Sequence, residues 1–178
     1  MRRNAVSLHT DRSRSAPLLT SAVAGRRVTS KAEPKVVICY GELAGQLPYQ
    51  AWCAAHADVP ALTLEIIAED LGVPSHRVAN WLGLSSRAMS RKVRLRRNLS
   101  VSESERVLAL ARIIGQLAST DASSDAQALE AVLRWLGSWF ERPVPALAGL
   151  PPSAFMDTAE GRQLVSLTVT QILVGSYA

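Results

Sequence analysis

Cysteine is scarce: Cys39 and Cys53 are the only two in 178 residues. Two cysteines make no disulfide framework, and their spacing fits no zinc motif; with His56 the only histidine nearby, a metal site lacks its fourth ligand. Both thiols are expected to stay reduced, as in a cytoplasm, and no metal or cofactor is expected. No apolar run approaches the ~20 residues of a membrane span. Catalytic signatures are missing too. There is no Gly-rich phosphate loop of Walker spacing, no Gly-x-Ser-x-Gly and no His-Glu-x-x-His. The three histidines, His9, His56 and His76, are scattered. The expectation is a binding protein, not an enzyme.

The basic residues crowd toward the front of the chain. Residues 1–35 hold eight Arg and Lys against two acids, residues 36–99 hold seven against five, and residues 100–178 hold five against eight. A basic front and a mildly acidic back suggest two jobs, with an anionic partner for the front. Residues 1–35 have no apolar periodicity and no continuous apolar stretch of a secretory signal; they read as a flexible basic arm. Residues 36–99 are expected to form a DNA-binding unit and residues 100–178 a second helical unit. Lys35–Tyr40 is a short β-prone run, too isolated to imply a sheet.

From there the pattern is helix after helix, so the expected fold class is all-α. Gln46–Ala57 reads as helical with Trp52 as its core anchor. Thr63–Leu71 places Leu64, Ile67, Ala68 and Leu71 at helical spacing before Gly72. Ser75–Leu82 and Ser86–Arg96 follow. Ser102 and Glu105 have the spacing of a capping box, opening a helix to Ala118 with Val107, Leu110, Ile114 and Leu117 on one stripe. A polar loop at 119–124 leads to a helix over Asp125–Phe140 burying Leu129, Val132, Leu136 and Trp139, with Trp135 expected in the core as well. The proline-rich stretch 141–152 is a rigid connector. A short helix at Ser153–Met156 precedes Thr158, which can cap a last helix, Ala159–Val174, ended by Gly175.

The segment Leu71–Arg97 contains nearly one phrase twice: Leu71-Gly72-Val73-Pro74-Ser75 and Leu82-Gly83-Leu84-Ser85-Ser86. Each can be the turn of a helix-turn-helix. Apolar pattern slightly favours Gly72; charge favours Gly83. The helix after Gly72 offers only His76, Arg77 and Asn80. The helix after Gly83 gathers Arg87, Ser90, Arg91 and Arg94 within an arc of about 100°, flanked by Lys92, Arg96 and Arg97. No acid occurs between Asp70 and Glu103. A helix in the major groove meets phosphates on both rims and reads base edges between them. Arginine suits both tasks, and Ser85 or Ser86 can cap the helix beside a phosphate. Ser86–Arg96 is therefore the expected recognition helix. Aromatics for base stacking are not interleaved there, which argues for duplex over single strands.

These residues resemble a known family. The stretch from Leu82 to Ile114 is similar to the end of the DNA-binding region of the Xre/MbcA/ParS antitoxins of bacterial type II toxin–antitoxin systems. The second half resembles that family's toxin-binding domain through Trp135-Leu136, the connector Pro143-Val144-Pro145-Ala146-Leu147-Ala148-Gly149, then Pro152, Phe155-Met156, Asp157-Thr158, Gly161 and the closing Gly175-Ser176-Tyr177-Ala178. The likeness covers about Leu62 to Ala178. It implies a protein that represses its own operon and neutralises a partner toxin, usually one with a RES domain acting on NAD, by blocking the toxin's cleft with its C-terminal end. The terminal helix of the family commonly carries Arg-Ile-Glu where this chain has Gln171-Ile172-Leu173, so an ion pair to the toxin gives way to an apolar contact.

The residues expected to carry function are thus two sets. Ser86, Arg87, Ser90, Arg91 and Arg94 face the operator, with Lys92, Arg96 and Arg97 on phosphates. Arg162, Gln171, Val174, Gly175, Ser176, Tyr177 and Ala178 contact the toxin; Tyr177 brings apolar area with one polar handle, and the terminal carboxylate suits an anion pocket. A homodimer is expected, since one recognition helix reads few bases. Two other readings stand beside this one: a stand-alone helix-turn-helix regulator whose C-terminal domain only dimerises, and an interaction module whose basic helix is merely solvated.

Overall fold

In a computed structural model, Ile38, residues 40–118 and residues 126–175 are described. The expected basic arm, the loop at 119–124 and the tail Ser176-Tyr177-Ala178 lie outside them, as does most of the β-prone run, whose last residue, Tyr40, opens a helix. Among the described residues the architecture is all-α, as expected. Eight α-helices succeed one another: α1 Tyr40–Ala44, α2 Pro48–His56, α3 Leu62–Leu71, α4 Ser75–Trp81, α5 Ser86–Arg94, α6 Val101–Ala118, α7 Ala126–Phe140 and α8 Ala159–Leu173. Two short 3₁₀ turns, Pro145–Leu147 and Pro152–Phe155, form the proline-rich connector between α7 and α8. None of these helices is long and apolar enough to cross a membrane.

Helix α6 is the axis of the molecule. It packs against α1, α2, α3, α7 and α8, and its stripe Val107, Leu110, Ala111 and Ile114 is wholly buried, with Leu117 nearly so. One apolar cluster runs from Tyr40 to Val169 and crosses residues 99 and 100 without a break. Two glycines permit close contacts between α-helices. A Cβ on Gly115 of α6 falls 2.0 Å from the Tyr40 carbonyl oxygen, and one on Gly137 of α7 falls 2.1 Å from that of Leu71. Only glycine lets these backbones meet.

The start of α6 differs from expectation. Ser100 and Glu103 form the reciprocal cap, not Ser102 and Glu105. The Ser100 amide donates to Glu103 Oε2 (2.6 Å), and the Glu103 amide donates to Ser100 Oγ (3.4 Å). Both pairs have the Ser-x-x-Glu spacing, but only Glu103 also meets the Lys92 ammonium. Three apolar residues expected inside lie outside. Trp52 is 58% exposed, and Leu129 and Trp135 are each more than two-fifths exposed. Trp52 stacks between Tyr49 and His56 on the outer face of α2. Trp135 lies outside on Trp139, which alone of that pair enters the core and meets Phe140 edge-on. At the far end Thr158 caps α8 by accepting from the Gly161 amide at 3.1 Å, and Gly175 (φ +68°) succeeds the helix, as expected.

Candidate DNA- and protein-binding surfaces

The repeated phrase yields the same turn twice. At the end of α3, Val73 N–H donates to the Ala68 carbonyl (2.9 Å) and Gly72 N–H to that of Glu69 (3.0 Å). At the end of α4, Leu84 N–H donates to Ala79 (2.9 Å) and Gly83 N–H to Asn80 (3.0 Å). Both glycines are left-handed, at φ +67° and +62°. Each is a glycine-centred close of a helix that supplies donors to carbonyls of its last turn. The turns differ in the helix each one launches. Helix α4 begins without a side-chain cap, whereas Ser85 caps α5 by accepting from the Ala88 amide at 3.3 Å.

Helix α5 stands on Met89, buried, and Val93, partly buried against the core, with Leu84 of the preceding turn beside them and Ala88 at the border between its two faces. On its opposite face Arg87, Ser90, Arg91 and Arg94 are all exposed, and with Ser85 and Ala88 they line one open depression of about 770 Å³. Ser86 sits half-buried at the foot of the helix against α3 and α4. Arg96 and Arg97 are exposed in the turn after α5, where Arg96 takes a left-handed φ of +51°. That turn is fixed from behind: Ala61 N–H donates to the Arg97 carbonyl (3.0 Å) and Leu99 N–H to the Val59 carbonyl (2.8 Å).

Lys92, expected to hold a phosphate, is committed elsewhere. It lies about 140° around the helix from Arg87 and ion-pairs with Glu103 at the cap of α6, both side chains mostly covered. Burial pushes the Glu103 carboxyl up, but the hydrogen bonds from Lys92 and from the Ser100 amide and hydroxyl outweigh it and hold the group below the usual carboxylate range.

The α4–α5 turn is anchored to α6 by Arg106, whose Nη1 donates to the Leu82 carbonyl at 2.9 Å and to the Gly83 carbonyl at 3.2 Å. Sequence reading missed Arg106; it looked like one more charged residue on a helix, and only the fold brings it to a turn 23 residues away. A cation at carbonyls that end a helix also meets the negative end of the helix dipole. Arg77 on α4 instead ion-pairs with the carboxylate of Glu141 just past α7, with contacts of 2.7 and 2.8 Å on the surface.

At the other surface, Gln171, Val174 and Gly175 are exposed, Val174 at 71%. Arg162, expected among the toxin contacts, is only 7% exposed. It donates to the Met156 carbonyl and to Glu105 Oε1, each at 3.2 Å, tying α8 to the 3₁₀ turn and to α6. Arg112 lies in the same seam. Burial pulls its guanidinium below the ordinary value; Glu105 opposes that and the neighbouring Arg162 adds to it. Further along, Gln116 and Ser166 exchange hydrogen bonds of 2.9 and 3.0 Å.

Residues 54–112, from α2 through most of α6, match the antitoxin Xre-like helix-turn-helix domain. The chain is also 38% identical over 121 residues to the Prs ADP-ribosylating antitoxin of Sphingobium sp. (strain YBL2), an alignment covering 67% of this chain and 76% of that protein. The family is one of antitoxins, not of enzymes, which implies a toxin as partner, and its helix-turn-helix implies DNA. The match to the Xre-like helix-turn-helix domain, together with 38% identity over three-quarters of an antitoxin's length, makes this chain a member of the Xre-like antitoxin family.

Proposed function

We propose that this antitoxin represses its own operon through α5 and neutralises a RES-domain, NAD-consuming toxin through the end of α8 and the tail beyond it. The observation that carries the first half is the exposure of Arg87, Ser90, Arg91 and Arg94 on one face of a capped helix. Phosphate contacts position such a helix, and guanidinium groups read guanine edges. Arg96 and Arg97 extend the basic edge; Lys92 serves by holding α5 to α6. For the second half, Gln171, Val174 and Gly175 stand exposed at the end of α8, directly before Ser176, Tyr177 and Ala178. The relative's name pairs an antitoxin with ADP-ribosylation of Prs. An ADP-ribosyl group is drawn from NAD, in keeping with a toxin that consumes it. Action on an operon places the protein in the cytoplasm, as a homodimer on paired half-sites.

In this reading residues 36–99 serve DNA and residues 100–178 serve the toxin, around a shared core, with residues 1–35 adding sequence-independent affinity for a polyanion. Growth with the adjacent toxin gene and a promoter reporter tests both halves. Removing Ser176–Ala178 is expected to abolish protection and keep repression; Arg91→Ala with Arg94→Ala is expected to do the reverse. Protection that survives loss of the tail contradicts the toxin-binding half.

A further inference from the structure

Helices α6 and α8 meet along a polar seam. Glu105, Arg112 and Gln116 share one face of α6, the other two lying within about 40° of Arg112 at 3.6 residues per turn. Arg162 and Ser166 lie across from them on α8. At one end Arg162 donates to Glu105 at 3.2 Å; at the other Gln116 and Ser166 exchange hydrogen bonds of 2.9 and 3.0 Å. Arg112 is half-buried between those two contacts.

The charges of this seam do not balance. Arg112 and the buried Arg162 share the one carboxylate of Glu105, and Glu105 gives its close contact to Arg162. Among the described residues the Arg112 guanidinium meets no acceptor at hydrogen-bonding distance; Glu105 attracts it only from farther off. Helix α6 has no acid after Glu105 and α8 none after Glu160, so neither can bring a second carboxylate to it. A half-buried cation with five donors and no acceptor is destabilising. Packing of the chain alone therefore gives no reason for Arg112.

Its place on the molecule identifies the partner. The seam follows α8 toward the exposed end that holds Gln171 and Val174. Ser166 is nine residues before Gly175, about 14 Å along the axis. An interface of about 800 Å² per partner centred on that end reaches the seam. One further negative charge sets two acids against two guanidinium groups, and a carboxylate accepts two parallel hydrogen bonds from one guanidinium. A duplex backbone brings a row of negative charges against the exposed Glu105, and α5 is docked at the opposite end of α6 through Lys92 and Glu103.

We infer that Arg112 receives an Asp or Glu side chain of the toxin, which pairs with it as the second carboxylate of the seam. This rests on the toxin-neutralising reading above and adds a contact remote from the tail. Arg162 is then a positioning residue: it occupies Glu105 and so keeps that carboxylate from Arg112.

Isothermal titration of the full chain with the toxin encoded by the adjacent gene tests it, beside thermal melts of the free chain and binding to the upstream duplex. Arg112→Met is expected to weaken the toxin complex about 30-fold or more, the loss when one partner of a covered charge pair is removed. The free variant is expected to melt at the wild-type temperature or above, with operator affinity unmoved. Arg112→Lys keeps the charge without the planar fork and is expected to recover part of the affinity. Toxin affinity that stays at the wild-type value in Arg112→Met, yet is lost on removing Ser176–Ala178, overturns this contact and leaves the toxin reading in place. A wild-type chain that does not bind the toxin overturns both. Loss of the toxin together with a lower melting temperature, not eased by lysine, overturns it in favour of a structural role. Operator affinity that falls in Arg112→Met while toxin affinity holds overturns it in favour of a phosphate of the duplex.

Discussion

Arg106 of α6 donates to the carbonyl of Leu82, 2.9 Å away, at the C-terminal end of α4. The contact ties the turn that launches α5 to the most buried helix of the molecule. Arg106→Met keeps the aliphatic stem and removes the donor. It is expected to cost about 1.5–3 kcal/mol, the range for a hydrogen bond made by a charged group, read from the urea midpoint. DNA affinity is expected to fall with it, because the turn that aims α5 loses its anchor.

The cap of α6 separates two serines with the same sequence credentials. Ser100→Ala is expected to lower stability by about 1 kcal/mol, whereas Ser102→Ala, which leaves the Ser100–Glu103 exchange intact, is expected to stay within about 0.5 kcal/mol. Chemical denaturation of both variants checks the order.

Glu103 makes that cap sensitive to acid. Its carboxyl is held below the usual range in the folded chain, so the folded state binds its proton less readily than the unfolded chain does. The stabilisation is complete above the unfolded carboxylate value, about 4.3, and is lost as pH falls through the lower folded value. Glu103→Gln is expected to be less stable than wild type at pH 7 and to converge with it in acid. Thermal melts across pH 3–7 supply the test; a constant gap contradicts the pairing with Lys92.

Asp70 runs in the opposite sense. Burial, more than offsetting the hydrogen bond from Tyr40 (2.6 Å) and helped by Glu69, raises its carboxyl above the ordinary value. Its ionised form is therefore the costly one, and this group favours folding more as pH falls through its raised value. Asp70→Asn keeps an acceptor for the Tyr40 hydroxyl and removes the charge, so stability at pH 7 is expected to hold or rise. Tyr40→Phe leaves the carboxylate without its donor and is expected to cost about 1–3 kcal/mol. Urea unfolding at pH 7 measures both.

Gly137→Ala tests the close approach of α3 and α7. The new methyl meets the Leu71 carbonyl at 2.1 Å, and backbone cannot turn aside as a side chain does. A loss of about 3 kcal/mol is expected. Gly149→Ala, left-handed at φ +75° with open space around it, is expected to cost about 1–2 kcal/mol from conformation alone. Melting both variants side by side separates packing from backbone strain.

The helices from α2 onward and their order were legible because apolar spacing and the punctuating glycines agree along this chain; α1, Tyr40–Ala44, was not, being too short to show a period. Gly72, Gly83, Thr158 and Gly175 all act where local chemistry places them. Features that depended on distant residues were not legible. Ser-x-x-Glu occurs twice at the start of α6, and the choice was made by Lys92, eleven residues before Glu103. Arg162 has the local pattern of an exposed helix residue, yet Glu105, 57 residues earlier in the chain, draws it inside. Trp52 and Trp135 look like core because apolarity in sequence says only that water is disfavoured, not which surface covers the ring. The basic face of α5 was legible except for Lys92, whose angle on the helix points it at α6.

The salt dependence of binding to the duplex upstream of the chain's own gene tests the central claim most directly. Binding by α5 predicts that affinity falls steeply as salt rises and that Arg94→Ala flattens the log–log slope by about 0.9, the share of one phosphate. If Arg94→Ala leaves affinity and slope at wild-type values while the chain still binds that duplex, α5 is not the helix that grips DNA.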